Sequence, residues 1–152
     1  MSTEFKFADD ARELAKEVVK DTPELSHIDF EKIVFVRTTK HIKGDYVLAQ
    51  CVFIPDKLQF ISNKTYMIEL PPVYDTLNEK QKRIVLEHEL YHIPADEKGL
   101  IPHSVGEFKC IIDKYGLDWL ETFSKANENI KILKEKEKLE RKQKKLQEDI
   151  VK

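Results

Sequence analysis

Four glycines, six prolines and two cysteines in 152 residues are too few for a collagen-like, Gly/Pro-rich or disulfide-stapled chain. Cys51 and Cys110 stand far apart with no C-x-x-C, which excludes a small zinc ribbon or a redox pair and reads as two buried thiols in a reducing cytoplasm. Long apolar runs are missing too. The longest, such as Ile33–Val36 and Cys51–Ile54, reach four residues against the ~20 that a membrane helix requires. The opening MSTEFKFADDARELAK carries acids where an export signal would have a basic start and an apolar stretch. These shortages predict a cytoplasmic protein with no membrane partner. Apolar and charged side chains are plentiful, at 41% and 36%. A chain of this length then buries roughly 70% of its unfolded surface in one core.

The net charge of −2 hides an asymmetry. Residues 131–152 hold nine Lys/Arg and five Asp/Glu, a net +4, which leaves −6 on residues 1–130. The composition step predicts a folded domain over 1–129 and a charged tail over 130–152, helical or partly disordered. Within that tail Ile132, Leu139 and Leu146 repeat at seven, but Glu135, Lys142 and Asp149 make the second row polar, which argues against a coiled coil. The basic tail suits a solvated helix, or one that meets an acidic partner or nucleic acid.

Apolar spacing at Ala8, Ala11, Leu14, Ala15, Val18 and Val19 predicts an N-terminal amphipathic helix. The β-branched runs at 32–39 and 46–54, separated by Lys43-Gly44-Asp45, read as a hairpin, and 65–70 as a third, half-exposed strand. Thr76 with Glu79 suggests a capping box opening a helix over about 77–92, bounded by Pro94. A second box, Ser104 with Glu107, opens a helix whose Val105, Phe108, Ile111, Ile112 and Tyr115 share a face, and a short helix around Trp119 follows. A helix, three strands and further helices, without βαβ alternation, define an α+β fold.

The chemistry lies in His88-Glu89-Leu90-Tyr91-His92, an H-E-x-x-H pattern inside a helix argued from independent signals. With five histidines in the chain, chance would supply the pattern only about 0.02 times. His88 and His92 fall ~40° apart and one turn along the helix, so both imidazoles reach one ion, Zn2+ by ligand type. Glu89 lies beside the ion as the base for a zinc-activated water, whose pKa the metal brings to about 7. The charged Lys80, Lys82, Arg83 and Glu87 read as a solvated face of the same helix.

Two histidines do not complete a catalytic site. Ala95 and Lys98 occupy the positions where a metzincin would continue with Gly and His. His103, just before the proposed cap Ser104, is the leading third ligand. Glu107 is its rival, and Asp96 and Glu97 are further options. Cys51 and Cys110 enter no ligand set. His27 and His41 read as surface or structural histidines, and Tyr91 as a packed residue. Tyr66, Tyr74 and Tyr115 are alternative donors to an oxyanion, and the sequence does not choose among them.

HELYHIP, PHSVGEF and KYGLDW together resemble the phage metallopeptidases, small zincins related in outline to SprT-like proteins. The similarity extends over about 5–125, is most specific from Leu77 to Trp119, and is compatible with AQCVFIP and YMIELP before it. It implies a zincin-like fold and a zinc metallopeptidase with metal ligands His88, His92 and His103 and base Glu89. Ser104 departs from the acidic residue that often follows the third histidine in that family. The expected substrate is a peptide or protein, added along a strand such as 65–70. Hydrolysis of a non-peptide amide and a non-catalytic zinc-binding interaction module are the alternatives.

Overall fold

The computed structural model describes residues 2–42, 47–102, 109–115 and 119–151. Strand β1 (Phe5–Phe7) leads into helix α1 (Asp9–Lys20), which buries Ala11, Ala15 and Val18 and places Asp9 and Asp10 in its first turn, where the helix dipole favours acids. Strands β2 (Ile33–Thr38) and β3 (Gln50–Phe53) follow, then helix α2 (Asp56–Ser62) and strand β4 (Tyr66–Leu70). Helices α3 (Glu79–Tyr91), α4 (Lys109–Tyr115) and α5 (Trp119–Val151) complete the order. The α+β class holds, with four strands among the described residues in place of three. The extra strand, β1, is only three residues long and leaves both Phe5 and Phe7 exposed, so no buried alternation marks it.

The sheet order is β1-β2-β4-β3, which overturns the expected hairpin. β2 and β3 do not pair. β4 inserts between them, parallel to β2 (Phe35↔Ile68) and antiparallel to β3 (Cys51↔Ile68). The eleven residues 39–49 are a long link with no need to close a tight turn. β4 carries Tyr66, Ile68 and Leu70, each at most 1% exposed, and fills the centre better than the other two strands do. It is therefore neither half-exposed nor open to an added strand. Among the described residues the strand at that edge of the sheet, paired on one side only, is β3.

One face of the sheet packs its Ile33, Phe35, Cys51, Tyr66 and Ile68 into a single cluster with Ala11, Ala15 and Val18 of α1 and Val85, Leu86 and Leu90 of α3. α3 starts two residues later than Thr76 would have set it. Asn78 is the cap, accepting from Gln81 N (2.8 Å), while the Gln81 side chain accepts from Asn78 N (2.9 Å). Thr76 instead closes a 3-10 turn over Pro72–Thr76 by donating to Val73 O. The second expected box, Ser104 with Glu107, lies outside the described residues. α4 nonetheless buries Ile111 and half-buries Tyr115, as the periodicity required.

α5 runs without a break through residue 130, so the expected Trp119 helix and the charged tail are one element. Leu133 packs against the core, Glu137 comes within 3.6 Å of His41, and residues 138–150 are almost wholly exposed. Among the described residues no helix is long and apolar enough to cross a membrane. No disulfide forms. Cys51 is buried as expected, but Cys110 is exposed because α4 covers the core with Ile111 and turns its neighbour outward.

Candidate metal centre

His88 and His92 lie on the last turn and C-cap of α3, with ring centroids 5.2 Å apart and planes at 68°. That is the one-turn neighbourhood the i, i+4 spacing dictates. Between them in sequence, Glu89 is 6% exposed and turns toward β3, its Oε1 lying 3.9 Å from His88 Nε2. Cys51 of β3 is a neighbour. Burial pushes its thiol pKa up, and the nearby Glu89 carboxylate adds to the shift, so Cys51 stays protonated and apolar.

His92 Nδ1 donates to Ile101 O at 2.6 Å, and Ile101 N donates back to His92 O at 2.7 Å. A carbonyl only accepts, so the proton is fixed on Nδ1 and the ring's lone pair on Nε2. This is the support that metal-binding histidines characteristically have. The loop between them is shaped by Glu97 and Gly99 in left-handed conformation (φ 56° and 67°) and by a bond from the Tyr66 hydroxyl to Gly99 O (2.8 Å). His27 is a structural histidine as expected, within 2.8 Å of Ile93 O at the end of the same helix.

His103 and Glu107 both lie outside the described residues. Among the described residues no three His, Cys, Asp or Glu side chains gather closely enough to hold an ion, so neither Asp96 nor Glu97 completes the histidine pair. Asp96 instead accepts from Lys98 N (3.0 Å). The tyrosines also have work elsewhere. Tyr66 bonds Gly99, and burial pushes its pKa up to about 12, so it remains a donor. Tyr115 donates to Glu87, and Tyr74 is buried beside Arg37 and Lys82. Tyr91 packs against the core.

Of the charged residues of α3 read as a solvated face, Lys80 is exposed and Lys82 and Arg83 are half-buried, but Glu87 is buried. Glu87 is 0% exposed, with Lys114 Nζ at 2.9 Å on one carboxylate oxygen and the Tyr115 hydroxyl on the other. Arg83 bridges Glu17 (3.0 Å) and Asp21 (3.1 Å) of α1. Glu87 falls three residues after Ile84 and three before Leu90, both buried, so the helical period placed it in the apolar stripe. Its charge hid that signal.

Residues 3–127 match the family described as "Putative phage metallopeptidase". No curated protein and no solved structure matches the chain. A match over most of its length makes the chain a member of the phage metallopeptidase family, and with that family come a metal ion and a peptide or protein substrate.

Proposed function

We propose that the protein is a zinc-dependent peptidase in which His88, His92 and His103 hold the ion and Glu89 is the general base. The observation that carries this reading is the bond from His92 Nδ1 to Ile101 O, which presents Nε2 as a ligand atom beside a second imidazole and a buried carboxylate. The same bond anchors the chain to α3 two residues before His103, which favours that histidine over Glu107. When bound, zinc polarises the scissile carbonyl and brings a water's pKa to about 7. Glu89 takes the proton released in the attack and returns it to the departing amine. Its burial beside Cys51 keeps bulk water from competing for that proton.

The substrate lies along β3. Just beyond the last ladder pair, Phe53↔Tyr66, Ile54 N donates to Thr65 O (2.9 Å). Among the described residues β3 pairs with β4 alone, and an extended peptide adds as a further strand on its other flank.

Metal analysis after gel filtration tests the site, with about one zinc per chain expected. His88→Ala or His92→Ala should remove most of it, and full retention by both would sink the site. His103→Ala should also weaken binding, whereas Glu107→Ala should cost mainly a helix cap of ~1 kcal/mol. The opposite ranking would make Glu107 the ligand. Incubation with an unbiased peptide library, with and without chelator, tests the reaction itself.

A further inference from the structure

His92 Nδ1 is held by a carbonyl that belongs to no helix or strand, so something must hold that carbonyl in turn. Packing does little of it. From Pro94 to Ile101 no residue is buried, and Leu100 and Ile101 are 41% and 40% exposed. Within the segment Glu97 N donates to Pro94 O (3.1 Å) and Lys98 N to Asp96 Oδ1 (3.0 Å), bonds that curl the loop without tying it to another element. Among the described residues one hydrogen bond joins this loop to the sheet, from the Tyr66 hydroxyl to Gly99 O (2.8 Å).

Tyr66 is a firm point from which to hold a loop. It sits in the middle strand β4 between its partners Ile33 of β2 and Phe53 of β3, is 1% exposed, and has its ring tilted against that of Phe53 with centroids 5.6 Å apart. A side chain so enclosed has little freedom to move its hydroxyl. Gly99 meets it in left-handed conformation (φ 67°), which costs a glycine nothing in sterics. Ile101 follows two residues later, a span of at most ~7 Å, so fixing Gly99 O leaves Ile101 O little room to leave His92.

We infer that Tyr66 is a positioning residue for the metal centre: through Gly99 it fixes the Ile101 carbonyl, which keeps the His92 proton on Nδ1 and so makes Nε2 the ligand atom. The inference rests on the metal reading above and deepens it, linking the middle strand of the sheet to the orientation of one ligand.

The test is Tyr66→Phe in the full chain, which keeps the ring and removes the hydroxyl, with Gly99→Ala as an independent variant on the other side of the same bond. A Cβ on Gly99 meets nothing within 4 Å, so that change acts through the left-handed φ alone. Zinc affinity is read by competition with a chromophoric chelator, and the His92 tautomer by imidazole proton–nitrogen correlation spectra of the metal-free protein. Each variant should bind zinc about tenfold more weakly, the lower end of what losing a ligand's hydrogen-bonded support costs, and should show His92 as a mixture of tautomers where the wild type is Nδ1–H. The double variant should be about as weak as either single one, because both break one bond. Tyr74→Phe, at an equally buried tyrosine with no bond to this loop among the described residues, should match the wild type in both readings.

Unchanged affinity and tautomer in Tyr66→Phe overturn the inference, as does an additive loss in the double variant. A weaker site with His92 still in the Nδ1–H form also overturns it, and a parallel fall in melting temperature would make Tyr66 a core residue only. If the wild type takes up no zinc, the metal reading falls, and the tautomer in the metal-free protein still decides whether Tyr66 orients His92.

Discussion

Glu87 and Glu89 are two residues apart on α3 and almost equally hidden, 0% and 6% exposed, yet their surroundings differ in kind. Glu87 faces α4, where a lysine and a phenol take its two oxygens and fix one helix to another. Glu89 faces β3, where its neighbours are the His88 imidazole and a protonated thiol. A buried carboxylate matched by a permanent cation is committed to architecture. One set beside two histidines is, on the reading proposed above, the base of the reaction.

The sharpest way to break this contrast is Glu89→Gln, which keeps size and hydrogen bonding. Zinc and melting temperature should stay, while hydrolysis falls by at least ~10²-fold. Unchanged hydrolysis would show that the activity has another source.

On the opposite flank, Lys114→Met removes the cation from a fully buried carboxylate and should cost about 3–5 kcal/mol in urea unfolding. Glu87→Gln should cost less, about 1–3 kcal/mol, because the Lys114 left behind is 44% exposed and can turn to water. If Glu87→Gln proves the more damaging of the two, the pair is not the clamp described here.

Truncation after Asn129 asks how far the folded unit reaches. The shortened chain should keep its zinc and a cooperative transition, losing about 1–2 kcal/mol with the partly buried Leu133, together with any salt-sensitive association of the basic tail. Unfolding or release of metal would place the tail inside the domain.

The smallest effect belongs to a surface pair that resembles the Glu87 clamp but is open to water. Arg37 holds the Asp10 carboxyl down to about 2, below its usual 3.8. The stabilisation is therefore fully present above about pH 4 and disappears as pH falls toward 2, with Arg37 charged throughout. Asp10 is 65% exposed, so Asp10→Asn should cost under about 1 kcal/mol at pH 7 and nothing at pH 2. An equal loss at both pH values, measured by thermal melts, would assign the effect to something other than the ion pair.

The sequence made α1 legible because its alanine and valine stripe has one period and one face. It made α3 legible because two signals, the apolar stripe and H-E-x-x-H, fell in the same place. β1 and α2 escaped because neither buries a side chain, and periodicity reports burial. Strand order escaped because β2 and β3 each carry enough apolar residues to pair with the other, and only the stronger alternation of β4 decides the middle position. At the site, the histidine pair and Glu89 were readable from spacing. The Ile101 carbonyl that orients His92 was not, since any residue could supply it.

The central position of β4 also sets a timetable. β2 is complete at residue 38 and β3 at residue 53, but the strand that joins them spans residues 66–70. At a synthesis rate of about 5–20 residues per second, β2 waits roughly 1–6 s with an unsatisfied edge, when nascent chains are most exposed to wrong pairing. Once β4 arrives, α3 begins nine residues later and ends at Tyr91, so the helix bearing His88 and His92 is completed after the sheet it packs on. A growing chain therefore acquires its histidine pair only when the scaffold that buries Glu89 is already in hand.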